Sequence, residues 1–204
     1  MLEFILAVFL LELTPGPNMA YLATLALARG RMAGLIATAG VALGLSVHAT
    51  VTVFGAGALI QRQPWLYETL RWIGVAYLLY LAWEGWRPEK ENSPQRADLL
   101  STAGPLFMRG LLSNVFNPKS VLFFVSVLPT FIRSAPGDPA IPFEMTVLGL
   151  LYVAIATAVH AAIVVLAAEL RPWLLEGPRH QVVRRILSAA LALVAVWLAW
   201  TTRR

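Results

Sequence analysis

The chain reads LLELTPGPNMA at residues 10–20, where two prolines and a glycine interrupt an otherwise helical apolar stretch. Proline has no backbone N–H, and its ring clashes with the carbonyl four residues earlier. Pro15 and Pro17 therefore free the carbonyls of Leu11 and Leu13, and the helix must break or kink there. Inside a bilayer, freed backbone groups are tolerated only where protein or water satisfies them, so the break is expected to line a cavity.

The residues around the break also predict where a second helical segment begins. Thr14 followed by Pro15 has the pattern of an N-cap with proline at the first helical position, and the half-helix then runs through residues 19–27. Asn117 and Pro118 repeat this pattern in a later apolar stretch. Two half-helix N-termini would then meet near the midplane, and their N–H groups and partial positive charge would favour a carboxylate. A pair of packing kinks is the alternative.

The composition indicates an integral membrane protein, with 58% hydrophobic residues, 13% charged residues and a mean hydropathy of +0.69. A bilayer core about 30 Å thick needs about 20 apolar residues per helix. We therefore predict an all-α polytopic fold with six transmembrane helices in a lipid bilayer, the first and fourth of them broken. The six apolar stretches lie at roughly residues 2–28, 33–60, 65–86, 106–132, 144–170 and 183–202.

The formal charge of +5 arises from short basic clusters between the apolar stretches, which are typical of topology signals and not of nucleic-acid binding. The Lys and Arg bias predicts that the first, third and fifth loops lie in the cytoplasm and both termini outside it. The sequence contains no cysteine, which excludes disulfides, thiolate metal sites and cysteine nucleophiles. We expect no cofactor and no bound metal.

The two halves of the sequence resemble each other. The tripeptide VHA at residues 47–49 recurs at residues 159–161, and a proline-broken stretch precedes each copy. An odd number of helices per repeat makes the second copy cross the membrane in the opposite direction, as in the inverted repeats of many secondary transporters. We divide the chain into a first three-helix repeat (1–88), a cytoplasmic linker (89–104) and a second three-helix repeat (105–204). Chance similarity between Ala-, Val- and Leu-rich helices is the alternative.

Four titratable side chains are predicted inside the spans, where charges are costly and usually functional. Glu12 lies one turn before the first break and can hold an ammonium or carry a coupling proton. Lys119 follows the second break and can pair with Glu12 or hold a substrate carboxylate. His48 and His160 lie mid-span, where a histidine can relay protons near neutral pH. The alternatives are an interfacial position for Glu12, a structural charge pair for Lys119, and hydrogen-bonded packing for the histidines.

Several ordered motifs closely resemble the lysine-exporter superfamily, specifically its homoserine/threonine-resistance branch. They are TPGPNM at residues 14–19, the glycine-rich stretch 34–44, GVAYLLYL at 74–81 and NPKSVLFF at 117–124, and the similarity spans nearly the whole chain. The resemblance implies an inner-membrane amino-acid exporter driven by the proton gradient. It places the family signature on Pro15, Gly16, Pro17, Asn18, Asn117, Pro118 and Lys119. Glu12 and the two histidines are not signature positions.

The leading hypothesis is a secondary transporter that exports amino acids or close derivatives by alternating access. The half-helix N-termini, from Thr14 onward and at Asn117, would hold the substrate carboxylate together with Lys119. Carbonyls near Leu11 and Leu13 would hold the substrate ammonium, and Glu12 or a histidine would carry the proton. Neutral, basic and hydroxylated amino acids share the same carboxylate and ammonium, so the sequence leaves the side-chain specificity open.

Other functions stay open at this point. His48 and His160 motivate a divalent metal-ion exporter, although thiolates are missing and intramembrane carboxylates are few. An intramembrane enzyme is less favoured, because no H-E-x-x-H motif occurs and nothing positions Ser113 or Ser120 as a nucleophile. A non-catalytic membrane scaffold would leave the paired breaks unexplained.

The pairs Gly30/Gly34 and Gly40/Gly44 have the GxxxG spacing that lets two helices approach closely. This spacing permits tight packing within the chain. It also permits a helix-packed homodimer.

Overall fold

The computed structural model describes residues 1–14, 16–54, 64–86, 99–134, 138–175 and 180–201. All regular elements in these ranges are helical, which confirms the predicted all-α class. The first half holds α1 (Leu2–Leu13), α2 (Pro17–Arg29), α3 (Arg31–Val53) and α4 (Pro64–Trp86). The second half holds α5 (Leu99–Val115), α6 (Pro118–Leu122), a π-helical segment (Phe123–Val127), a 3₁₀ turn (Leu128–Phe131), α7 (Ile141–Leu175) and α8 (His180–Thr201).

The first apolar stretch is broken as predicted, with α1 and α2 bent by 56° relative to each other. The predicted cap was wrong, however. Thr14 belongs to the end of α1, where its N–H donates to the carbonyls of Leu10 and Leu11 and its hydroxyl donates to Leu10 at 3.1 Å. Gly16, in an extended conformation, precedes α2, and Pro17 is the first residue of that helix. Pro15 lies outside the described residues.

The second break follows the prediction closely. Asn117 caps α6, because its side-chain Oδ1 accepts a hydrogen bond of 3.0 Å from the Lys119 N–H, and Pro118 takes the first helical position. The segment Ala103–Val115 and the segment Pro118–Phe131 are bent by 47°. Both breaks therefore begin their second segment with a proline whose missing N–H costs nothing at that position.

The described residues contain two helices that are long and apolar enough to cross a membrane, α3 and the Ile141–Arg171 part of α7. The count rises to four if each bent pair forms one span. The stretches predicted at 65–86 and 183–202 form α4 and α8, of 23 and 22 residues. Six spans, the inverted repeat and the repeat boundaries remain predictions, and the polar stretch 87–98 lies outside the described residues.

The glycines with GxxxG spacing are used for packing inside the chain. A Cβ atom added at Gly40 would lie 2.0 Å from the Phe107 carbonyl oxygen, and one added at Gly110 would lie 2.0 Å from that of Ala37. The backbones of α3 and α5 are thus in direct contact. Gly34 likewise faces α7, where an added Cβ would lie 2.6 Å from the Val164 side chain. These contacts account for Gly34 and Gly40 within one copy of the chain.

Helix α7 lies at the centre of the described fold, packed against α1, α2 and α3, while α3 also packs along α5. Near the two breaks, Glu12, Asn18, Asn114, Asn117 and Ser120 are each buried. Polar side chains on both sides of each break therefore lie in the interior of the chain, although Thr14 at the end of α1 is exposed.

Candidate functional site

Both helix breaks border one small internal pocket, here called the central pocket. Its volume is about 10 Å³, which is room for roughly one water molecule. Six of the sequence-predicted residues line it, and they are joined by four that the sequence did not single out as site residues. The lining residues are Glu12, Gly16, Asn18, Met19, Leu45, Asn117, Lys119, Ser120, Tyr152 and His160.

Glu12 is held by two side chains of α7. Its carboxylate oxygen Oε1 accepts a hydrogen bond of 2.7 Å from the Tyr152 hydroxyl, and Oε2 lies 3.3 Å from His160 Nε2. The three residues are nearly inaccessible, with Glu12 and His160 each 4% exposed and Tyr152 1% exposed. The other ring nitrogen of His160, Nδ1, is buried and has no hydrogen-bond partner within the described residues. A carboxylate and an imidazole in such contact can share or exchange a proton.

Tyr152 is the contact of Glu12 that sequence analysis missed. Its ring stacks on Phe123 at a centroid distance of 4.0 Å, which fixes the direction of the hydroxyl. A tyrosine in an apolar span usually needs a hydrogen-bond partner for its hydroxyl, and this signal could have marked it. Nothing in the residues around Tyr152 indicated that its partner would be Glu12, 140 residues away.

Lys119 bridges the two breaks. Its ammonium nitrogen Nζ donates to the Leu11 carbonyl at 2.7 Å and to the Thr14 carbonyl at 3.1 Å. These carbonyls lie at the C-terminal end of α1, where the helix dipole favours a cation. Gly16 leaves room for the lysine stem, because an added Cβ would lie only 3.3 Å from Lys119 Cδ.

The position of Lys119 changes two of the sequence-based expectations. The Leu11 carbonyl, expected to hold a substrate ammonium, is bonded to the Lys119 ammonium in this conformation. Among the described residues, Glu12 is paired with His160 and forms no ion pair with Lys119. The two opposite charges therefore border the same pocket while each keeps its own partners.

Amide and hydroxyl groups connect the two breaks further. The Ser113 hydroxyl donates to Asn18 Oδ1 at 3.1 Å, which joins the end of α5 to the start of α2. Asn114 Nδ2 donates to the Ser120 hydroxyl oxygen at 3.1 Å across the second break. Neither serine has a histidine as a partner in these bonds, so nothing here activates a nucleophile.

His48 does not lie in the central pocket. Its Nε2 lies 3.2 Å from the backbone carbonyl oxygen of Asn114 at the end of α5, and its ring stacks on Phe124 at 6.0 Å. The two histidines of the repeated VHA tripeptide thus have different surroundings. Each one contacts the broken helix of the other half of the chain, His48 at Asn114 and His160 at Glu12.

The pocket holds few groups that could bind a metal ion. Glu12 and His160 are adjacent, but the described residues contain no cluster of three or more His, Cys, Asp or Glu side chains. Its other charged group, the Lys119 ammonium, repels cations. The chemistry of the pocket is instead one buried carboxylate, Glu12, and one half-buried ammonium, Lys119, beside amide, hydroxyl and backbone carbonyl groups.

Comparison with known proteins gives consistent results over almost the whole chain. The homoserine/homoserine lactone efflux protein of Salmonella typhimurium is 27% identical over 197 residues, covering 96% of this chain and 94% of that protein. An uncharacterized membrane protein of Vibrio cholerae is 31% identical over 172 residues, covering 83% and 81%. The threonine efflux protein of Escherichia coli is 30% identical over 135 residues, covering 63% and 64%. No solved structure matches the chain.

The sequence also matches the family described as LysE type translocator over residues 9–202. That range includes both helix breaks and every residue of the central pocket. The apolar helices and these relatives indicate a multi-pass membrane protein. The chain belongs to the LysE type translocator family.

Proposed function

We propose that this protein exports an amino acid, or a close derivative of one, from the cytoplasm across the bacterial inner membrane in exchange for protons. The central observation is a small pocket at the two helix breaks that presents a buried carboxylate, Glu12, and a half-buried ammonium, Lys119, which are not paired with each other. A zwitterionic substrate has a carboxylate that matches the Lys119 ammonium and an ammonium that matches the carbonyls of Leu11 and Thr14. The named efflux functions of the relatives include homoserine and threonine, which are zwitterions of this class.

The proposed binding step is an exchange of one ammonium for another. Lys119 leaves the carbonyls of Leu11 and Thr14 and contacts the substrate carboxylate, beside the N-terminus of α2 at Gly16. The substrate ammonium then takes over the two carbonyls, which already have the geometry for a cationic donor. This exchange keeps every buried charge partnered, which a low-dielectric interior requires.

The proposed proton carrier is Glu12, assisted by Tyr152 and His160. Glu12 accepts the Tyr152 hydrogen bond and faces His160, and in this proposal the uptake of a proton by its carboxylate weakens both contacts. Release of these contacts would free Tyr152 and α1 to move. His48 lies outside the pocket, and we assign it to packing at the α3–α5 contact.

Alternating access follows in this proposal from the size of the pocket. A volume of about 10 Å³ cannot hold an amino acid, so the walls must separate for binding and release. The two breaks are natural hinge points, since proline starts a new helical segment at each of them. We propose that the two halves move about these breaks, with both termini on the extracytoplasmic side.

Export from cells loaded with dipeptides tests the proposal. Peptidases release the amino acids inside, and efflux is followed in a strain lacking its own exporters for a panel including homoserine and threonine. We expect Lys119→Ala to reduce export at least tenfold, because hydrogen bonds to charged groups contribute roughly 1.5–3 kcal/mol each. Lys119→Arg, which keeps the charge, should retain part of the activity.

Lys90→Ala is the matched control, because Lys90 is the only other lysine in the sequence. It should export at the wild-type rate at equal expression. Wild-type export by Lys119→Ala would overturn the assignment of the central pocket. Failure of the wild-type protein to export any amino acid of the panel would overturn the proposed function itself.

A further inference from the structure

Five aromatic side chains form a continuous cluster, here called the aromatic cluster, which contacts Glu12 through Tyr152. Its members are Phe4, Phe123, Phe124, Phe131 and Tyr152. Tyr152 stacks on Phe123 at a centroid distance of 4.0 Å, and Phe123 contacts Phe4 at 6.2 Å. Phe4 in turn contacts Phe131 edge-on at 5.1 Å. Phe4, Phe123 and Tyr152 are each 1% exposed, so these three rings are shielded from solvent.

The cluster ends at a second cavity of about 360 Å³, here called the end cavity. It lies where α1 begins, the 3₁₀ turn ends and α7 begins. Its lining includes Phe4, Phe131, Arg133, Phe143, Glu144 and Leu148. This volume lies in the range of small-molecule sites, whereas the central pocket has about 10 Å³.

We propose that the aromatic cluster is the gate between the central pocket and the end cavity, and that the transported molecule passes through it when the Phe123 ring moves aside. This inference rests on the proposed function for the nature of the molecule that passes. The aromatic cluster borders a cavity at each of its two ends, as a gate between them must. Tyr152 lines the central pocket, Phe4 and Phe131 line the end cavity, and Phe123 joins Tyr152 to Phe4.

The backbone at Phe123 is suited to such a movement. Phe123 begins the π-helical segment, and its carbonyl accepts from the N–H of Leu128, five residues later instead of four. Pro129 follows directly and cannot donate to the carbonyl four residues before it, which disfavours an ordinary α-helical register. π-Helical turns are uncommon and occur frequently at functional sites. A change of register here would displace the Phe123 ring.

The cluster also links the gate to the proposed proton carrier. Tyr152 donates its hydroxyl hydrogen bond to Glu12 at 2.7 Å while its ring face covers Phe123. Loss of the negative charge on Glu12 would weaken the bond that fixes the tyrosine. The aromatic faces then offer favourable contact to a passing ammonium group. Tyr152 thus contacts both the proposed gate residue, Phe123, and the proposed proton carrier, Glu12.

Accessibility of single cysteines tests the gate directly, since the natural sequence contains none. Met19→Cys places a thiol in the central pocket, and Phe143→Cys places one at the end cavity, where the native side chain is 73% exposed. Each is labelled with a charged, membrane-impermeant methanethiosulfonate, added to right-side-out or inside-out vesicles. Phe143→Cys identifies the side on which the end cavity opens.

We expect Phe123→Ala to raise the labelling rate of Met19→Cys at least tenfold from that same side. Phe4→Ala, in the same cluster, should act in the same direction. Phe9→Ala is the matched control, because Phe9 is on α1 but is 44% exposed and outside the cluster. Normal labelling of Phe143→Cys in each variant shows that the protein is folded and inserted.

Two results would overturn the gate. The first is unchanged labelling of Met19→Cys in both Phe123→Ala and Phe4→Ala, with Phe143→Cys labelled normally. The second is increased labelling of Met19→Cys only from the membrane side opposite to the one from which Phe143→Cys is labelled. Labelling requires no transport, so this outcome is independent of the efflux measurements, and a confirmed gate without amino-acid export would contradict only the proposed function.

Discussion

Replacing Glu12 by glutamine tests the proposed proton route with a minimal change of shape. The carboxylate accepts from the Tyr152 hydroxyl at 2.7 Å and lies 3.3 Å from His160 Nε2. Glutamine keeps an acceptor oxygen for Tyr152 but cannot take up or release a proton. We expect proton-driven accumulation of substrate to disappear in Glu12→Gln, while exchange of labelled for unlabelled substrate, which needs no net proton movement, continues.

The expected size of the effect follows from the single carboxylate in the pocket. One proton exchanged per substrate across a gradient of one pH unit corresponds to about 1.36 kcal/mol, or about a tenfold substrate gradient. The assay uses inside-out vesicles with a lumen one pH unit more acidic than the medium and the membrane potential clamped at zero. The wild-type protein should accumulate its substrate about tenfold in the lumen, and Glu12→Gln should reach equal concentrations inside and outside.

Glu169→Gln is the matched control, because Glu169 is an exposed carboxylate on α7 that lines neither the central pocket nor the end cavity. It should accumulate substrate like the wild type. A tenfold gradient in Glu12→Gln would refute the reasoning, because the proton would then cross elsewhere. Loss of exchange as well as accumulation would also refute it, since Glu12 would then be needed for substrate binding and not for coupling alone.

Two further predictions concern the scaffold of the site. Gly110→Ala should lower the free energy of unfolding in detergent by about 1–3 kcal/mol, because the new Cβ would lie 2.0 Å from the Ala37 carbonyl oxygen. Gly104→Ala on the same helix, with nothing within 4 Å of the added atom, should show no such loss, and equal unfolding of the two would contradict the close helix contact. Asn117→Ala removes the cap on the Lys119 N–H and should cost about 1 kcal/mol. Asn117→Asp should retain most of that stability, and equal losses in both would exclude capping as the cause.

The helix breaks could be predicted from the sequence because the effect of proline is covalent and local. A missing N–H and a fixed ring act in any surroundings, so the bends at Pro17 and Pro118 needed no tertiary information. The cap at Asn117 is local for the same reason. Thr14 was assigned wrongly because two prolines follow it, and local rules do not decide which of them starts the helix.

The partners across the pocket could not be predicted in this way. Lys119 reaches the Leu11 carbonyl 108 residues away, and Tyr152 reaches Glu12 from another helix. Such pairs depend on the rotation and axial shift of one helix against another, which the glycine contacts between α3 and α5 and the packing on α7 determine. The two VHA tripeptides illustrate the point. Their sequences are identical, yet His48 contacts the Asn114 carbonyl at a helix end and His160 contacts the Glu12 carboxylate.

The partners of Lys119 also bear on how tightly a substrate can bind. Lys119 is already bonded to two carbonyls, and in the proposed binding step the substrate ammonium takes its place there. The substrate therefore meets no unpaired charge, and much of its interaction energy is offset by the contacts that it displaces. Binding should therefore be modest. An exporter benefits from this property, because a substrate held too tightly would leave slowly on the far side of the membrane.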